Sequence, residues 1–228
     1  SASESRKLQR KLITREDPKS PISESYRSIR TSLLHSLADK KIKSMLVSSS
    51  GPGEGKTTTV ANLAITFANL GKRTLLIDTD LRRPVLHKVF DLDRNFGITS
   101  YLSGEGKDNI NNYIQDTSIE NLSVICSGVI PPNPSELLGS EKMTNLIAKL
   151  EKEWDMVLFD SPPLIAVTDA ALISKEIDAI VMVVKIGGTN KGAFSHTLNA
   201  LENVKAPLCG IILNGVTDNS NYGSYYYY

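Results

Sequence analysis

Cysteine, histidine and tryptophan are scarce in this chain, at two, three and one among 228 residues. Two cysteines cannot staple a small secreted scaffold, and Cys126 and Cys209 both lie in apolar stretches. They read as buried thiols of a reducing compartment. His35, His87 and His196 stand alone, without the spacing that a His/Cys metal site needs. No apolar run is long enough to span a membrane, and no signal peptide is legible. Charge of one sign is lacking as well: 26 Lys and Arg against 25 Asp and Glu leave +1. A nucleic-acid-binding domain of this size would be strongly basic, so that class is excluded. No internal repeat is present. The expectation is a cytoplasmic protein with no nucleic-acid partner.

Enough apolar sequence is present, at 40%, for one full core. Short apolar runs at 42–49, 73–78, 122–125, 155–160, 178–184 and 208–213 read as strands. Helical periodicity falls at 22–38, 56–70, 140–153, 168–176 and 190–204. This alternation predicts an α/β fold, a mostly parallel sheet with helices on both faces. The run from Arg82 to Asn121 holds only short elements and is expected to cap one edge near the site. Residues 1–20, basic and poor in apolar anchors, read as a flexible segment, 21–216 as the folded domain and 217–228 as a flexible tail.

The most specific stretch runs from Met45 to Thr59. An apolar strand leads into Ser50-Gly51-Pro52-Gly53-Glu54-Gly55-Lys56-Thr57-Thr58, and a helical pattern follows. Gly51, Gly53 and Gly55 let the backbone turn its N–H groups onto phosphate oxygens, and the helix N-terminus adds its positive end. Glu54 and Thr58 belong to the same nucleotide-binding loop. Lys56 is expected to reach the β- and γ-phosphates of ATP and Thr57 to ligate Mg2+. Ser50 departs from the P-loop NTPase pattern, which has Gly there.

Two apolar strands then end in acids, Leu75-Leu76-Ile77-Asp78-Thr79-Asp80 and Val157-Leu158-Phe159-Asp160. Strand carboxyl ends are where an open α/β sheet places its ligand. Asp160 suits the support of Mg2+, and Asp80 is a further candidate for the metal. Asp78 and Asp80 are two apart, so both can project to one side; one would orient the metal while the other takes a proton from the attacking hydroxyl. The alternative is that they cap the following turn.

Five of the eight tyrosines occupy the last seven residues: Tyr222, Tyr225, Tyr226, Tyr227 and Tyr228. Four consecutive aromatics cannot all face a core. They read either as a sticky edge or as phosphate acceptors kept accessible. Near the other end, Glu24, Arg27 and Arg30 recur every third residue on a predicted helix, near one face. By periodicity alone they are a solvated stripe.

Taken together, Gly-Glu-Gly-Lys-Thr at 53–57, the acid pair inside Leu75–Pro84, Phe-Asp-Ser-Pro-Pro at 159–163, Pro-Pro-Asn-Pro-Ser-Glu-Leu-Leu at 131–138 and the tyrosine tail resemble the bacterial tyrosine kinases of capsule and exopolysaccharide synthesis. The resemblance runs from about Ser20 to the tail. It implies a P-loop kinase that uses ATP and Mg2+ and phosphorylates the tyrosine cluster of neighbouring subunits. It implies that Glu24, Arg27 and Arg30 build a ring of unphosphorylated subunits, and that Asn214 lies near the adenine. It further implies activation by the cytoplasmic tail of a membrane protein, which recruits the kinase to the inner face of the membrane, and a protein-tyrosine phosphatase as a partner. The competing reading is a ParA- or MinD-like ATPase with water as acceptor. Those proteins carry a second lysine early in the loop, where this chain has Gly51. A nucleotide-gated scaffold, the third reading, would not need both acids of the pair.

Overall fold

A computed structural model describes residues 12–36, 40–53, 55–104, 108–164, 176–203 and 207–215, with Ser3 and Ile173 as isolated positions. Most of the helix expected at 168–176, Glu54 and the tyrosine tail lie outside the described residues.

Among the described residues the chain order is α1 (Ile13–Glu16), α2 (Pro21–Ser36), β1 (Ser44–Ser49), α3 (Lys56–Asn69), β2 (Thr74–Asp78), α4 (Leu86–Val89) and α5 (Ile98–Ser103). A 3-10 turn (Ile110–Tyr113) leads to β3 (Gln115–Asp116) and β4 (Leu122–Ile125). Then come α6 (Pro134–Leu138), α7 (Glu141–Glu153), β5 (Met156–Asp160), β6 (Ala179–Lys185), α8 (Lys191–Asn203) and β7 (Leu208–Asn214). No described helix is long and apolar enough to cross a membrane.

The seven strands form one sheet in the order β3-β4-β2-β5-β1-β6-β7, and only β3, at the edge, runs antiparallel. Burial on both faces explains the near-continuous apolar runs of β1, β2 and β5, every residue of which is buried. Alternate strand residues feed two cores. Met45, Val47, Leu76, Leu158 and Val181 pack on the α2/α3 side, with Leu63 and Phe67 from α3. Leu46, Leu75, Ile77, Phe159 and Met182 pack on the other, with Leu146 and Leu150 from α7. Helix α7 buries Met143, Leu146, Ile147 and Leu150, one stripe at helical spacing, and the Ser140 hydroxyl caps it by accepting from the Met143 N–H.

Residues 12–20 correct the expectation of a flexible first segment. Leu12 is fully buried, and Thr14 donates both its N–H and its hydroxyl to Asn62 Oδ1 on α3, at 3.1 and 2.8 Å. The Ser23 hydroxyl ties α2 to the carbonyls of Ile13 and Asp17. One apolar anchor and a few polar contacts are enough to dock this stretch, although its composition is basic and polar. Among the described residues, the region from Arg82 to Asn121 holds only short elements, and β3 within it forms one edge of the sheet.

Candidate active site

The strand order gathers the site. Strand β5 lies between β1 and β2, so Asp160 pairs in register with Val47 on one side and Asp78 on the other. The phosphate loop leaves β1 at the same end of the sheet. Gly53 and Gly55 adopt left-handed φ of 74° and 80°, which a Cβ would strain, and Gly55 is the residue that starts α3.

Lys56, only 8% exposed, lies between two acids. Its Nζ is 3.3 Å from Asp80 Oδ2 and also forms an ion pair with Asp160 Oδ1. Thr57 Oγ1 donates to the second oxygen of Asp160 at 2.9 Å. Burial alone would pull the Lys56 ammonium down, but Asp160 and then Asp80 outweigh it and hold the group above its ordinary value. Burial pushes the Asp160 carboxyl up, against the pull of Lys56. The Thr79 N–H and hydroxyl both donate to the Asp160 carbonyl at 2.8 Å, which fixes the end of β5 against the chain between the two acids of the pair. Sequence reasoning passed over Thr79; its position between the acids was the available signal.

Asp78 and Asp80 are not equivalent. Asp78 is fully buried and its oxygens accept the N–H groups of Asp80 at 3.1 Å and of Val85 and Leu86 at 3.2 Å each. It caps the 80–86 turn and α4, the alternative weighed for one of the two. Burial, and then the charge of Asp160, push its carboxyl well up. Asp80 keeps 7% of its surface exposed, holds Lys56 with one oxygen and accepts the Arg83 N–H with the other at 3.2 Å. The expected projection of both carboxylates to one side is therefore not what the turn delivers, because the strand ends at Asp78.

Asn214, the last residue of β7, reaches the loop. A Cβ built on Gly55 would stand 2.0 Å from Asn214 Nδ2. Beside it, between α2 and β7, opens a cavity of about 300 Å³ lined by Tyr26, Ile29, Thr59, Ile212 and Asn214 among others. The Tyr26 hydroxyl bonds Thr59 and Asn62, and burial raises its pKa.

The Glu24/Arg27/Arg30 stripe divides. Arg27 Nη2 pairs with Glu24 Oε2 at 2.7 Å on the surface, while Arg30 turns inward and donates from Nη1 to the Thr66 carbonyl of α3 at 2.9 Å. The helical period explains the split: a six-residue step rotates the direction by about 120°, so Glu24 and Arg30 do not share a face.

Oxygen donors suited to magnesium converge here: the Thr57 hydroxyl and the carboxylates of Asp80 and Asp160. Among the described residues no cluster of three or more His, Cys, Asp or Glu is arranged to hold a metal unaided. Mg2+ is commonly held by one or two carboxylates together with substrate phosphates, a donor set these residues can supply.

A family model described as an AAA domain matches residues 42–208. The tyrosine-protein kinase YwqD of Bacillus subtilis is 42% identical over 221 residues, covering 96% of this chain and 92% of that protein. The chain belongs to the bacterial tyrosine-protein kinases. The putative tyrosine-protein kinase CapB of Staphylococcus aureus is 36% identical, over 95% of the kinase described here and 94% of CapB. Among solved structures, the chimerical protein CapA2B2 superposes with a TM-score of 0.84 at 40% identity, over 89% of this kinase and 88% of that chain. The kinase domain of Escherichia coli ETK gives 0.87 at 31% identity, over 95% and 84%. MinD of Pyrococcus horikoshii, at 0.63 and 21%, shares the fold alone, so the positioning-ATPase reading has only distant support. The kinase is an ATP- and Mg2+-dependent protein-tyrosine kinase.

Proposed function

We propose that the kinase transfers the γ-phosphoryl group of ATP to the tyrosine cluster of a neighbouring subunit, and that Asp80 is the base. The observation that carries this is the difference between the acids: Asp78 is spent on backbone N–H groups, whereas Asp80 retains exposed surface beside Lys56. In the reaction the acceptor phenol gives its proton to Asp80, its oxygen bonds to the γ-phosphorus, and the bond to the β-phosphate oxygen breaks to leave ADP. Lys56 would exchange its carboxylate partners for the β- and γ-phosphates, and Thr57 and Asp160 would hold Mg2+, which leaves Asp80 for the acceptor proton. Bound Mg2+ supplies charge neutralisation at the phosphates. Backbone N–H groups of Gly51, Gly53, Gly55, Lys56, Thr57 and Thr58 would cradle the phosphates, and Asn214, which reaches Gly55, would lie by the adenine beside the cavity it lines.

The acceptors are Tyr222 and Tyr225 to Tyr228. Replacing all five by Phe is expected to remove most self-phosphorylation, read by mass spectrometry after incubation with Mg-ATP, while an added tail is still phosphorylated. Phosphate found mainly on Tyr26, Tyr101 or Tyr113 would contradict this.

Transfer between subunits needs an assembly. Glu24, whose side chain is 68% exposed, and Arg27 present a carboxylate and a planar fork that can re-pair across an interface. Arg30 supports them by tying α2 to α3. Each added phosphate brings about −1.5 to −2 charges, which the acids of the site repel, so the ring is the unphosphorylated form. In light scattering, Lys56→Met protein is expected to be oligomeric. The same protein with Glu24, Arg27 and Arg30 all changed to Ala, and the fully phosphorylated wild type, are expected to be monomeric. An assembly that survives both changes would rule this interface out. The setting is capsule or exopolysaccharide synthesis, in line with the named relatives. A membrane activator that brings the kinase to the inner face of the membrane, and a phosphatase, complete the proposal.

A further inference from the structure

Three large apolar side chains are exposed together at the carboxyl end of the sheet: Phe96 at 60%, Val129 at 61% and Ile130 at 43%. They flank a tight crossing. A Cβ on Gly97 would stand 2.2 Å from both the Cys126 carbonyl and the Gly128 N–H, and the Thr99 hydroxyl donates to the Val129 carbonyl at 2.8 Å. The backbone that presents the three side chains is thus fixed, although the side chains themselves are left in solvent. No core need accounts for them.

Their place in the fold is informative. Strands β2 and β4 run parallel with Ile77 opposite Ile125, so the chain leaving β4 through residues 127–130 departs beside the chain leaving β2 through Thr79 and Asp80. The apolar patch therefore borders the proposed base on the side away from the phosphate loop. Arg82 and Arg83 follow Asp80 with exposed side chains, and Arg94 precedes Phe96 by two residues.

The geometry points to this patch as the seat for the acceptor segment of a second copy of the kinase, with Phe96, Val129 and Ile130 selecting clustered tyrosines. This rests on the acceptor reading above and names what recognises the cluster. Residues 216–228 carry five tyrosines, one acid (Asp218) and no Lys or Arg, which suits an apolar patch bordered by arginines. In an extended peptide, side chains two apart point the same way, about 7 Å from each other. One phenol can then meet Asp80 while a ring two residues along lies on Phe96 in an offset or edge contact. A run of four tyrosines satisfies this in several registers, which explains why the acceptor is a cluster and not a single residue. The second copy is the occupant because the proposed transfer runs between subunits, and the test below supplies the tail tyrosines only from a second copy.

The test uses full-length kinase whose five tail tyrosines are changed to Ser, acting on two full-length acceptors. One is the Lys56→Met protein with its native tail. The other is the same protein with Tyr226 as the sole tail tyrosine and Ser at Tyr222, Tyr225, Tyr227 and Tyr228. The KM for the native tail is expected to be about tenfold below that for the single-tyrosine tail, as burial of one aromatic ring warrants. In a Phe96→Ser/Val129→Ser/Ile130→Ser kinase that preference is expected to vanish, with kcat at saturating acceptor and KM for ATP within twofold of the parent. Phe96→Tyr alone is expected to keep the preference. A triple variant that retains the tenfold preference, or a parent without one, would overturn the docking role. Absence of phosphate on both acceptors would sink the acceptor reading itself, and the docking role with it.

Discussion

Lys56→Met is expected to abolish phosphoryl transfer, lowering turnover by at least about three powers of ten, because no other loop lysine can neutralise the transferring phosphates. It is also expected to weaken the fold. Lys56 is the cation between two buried carboxylates, and removing one partner of a buried pair costs about 3–5 kcal/mol. The pH dependence has a definite sign. Burial already raises the folded Asp160 carboxyl and Lys56 opposes the rise, so without Lys56 it stands further above its unfolded value. A raised carboxylate penalises folding above the unfolded pKa of about 4 and not below it. The deficit relative to wild type therefore widens as pH rises from about 4 towards neutrality. Urea unfolding of both proteins at several pH values reads this directly, and phosphotyrosine detection reads the activity. Substantial activity in the variant would sink the assignment of the loop lysine.

Asp80→Asn and Asp78→Ala are expected to fail in different ways. Asp80→Asn lowers kcat by about two to four powers of ten if Asp80 takes the acceptor proton. It lowers the melting temperature less than Asp78→Ala does, because an amide oxygen still accepts the Arg83 N–H, Lys56 keeps Asp160 as its partner, and the repulsion of Asp80 on Asp78 and Asp160 is relieved. Asp78→Ala strips the acceptor from three backbone N–H groups at once, those of Asp80, Val85 and Leu86. Each buried donor left unpaired costs about 1–3 kcal/mol, so the melting temperature drops by about 5 °C or more. Asp78→Asn retains acceptors and is expected to recover much of that loss. A large stability loss in Asp80→Asn with little change in kcat would reverse the two assignments.

Most of the fold is written locally. Buried parallel strands carry short apolar runs, so β1, β2, β5 and β6 announce themselves, and the glycines around Lys56 are dictated by backbone angles that only the loop itself determines. The position of Asp160 follows from the same logic, as the acid that ends a buried strand. What stayed hidden depends on distant partners. The division of labour between Asp78 and Asp80 is set by where the chain turns after β2, and the turn is fixed by N–H groups up to eight residues away. The inward swing of Arg30 depends on the Thr66 carbonyl of another helix. The docking of residues 12–20 depends on Asn62, which the phosphate-loop helix supplies. Contacts across the sequence of this kind leave no periodic trace.

The clasp between Thr14 and Asn62 has a mechanical consequence. Six residues separate Asn62 from Lys56 on one continuous helix, and that helix begins at the phosphate loop. A pull on the chain ahead of Leu12 is borne first by this clasp and by the buried leucine, and only then by the rest of the domain. The helix behaves as a lever with its load end at the phosphates and its handle near the amino-terminal segment. Whatever grips that segment holds the handle, and tension there is passed to a helix that the sheet supports along its length.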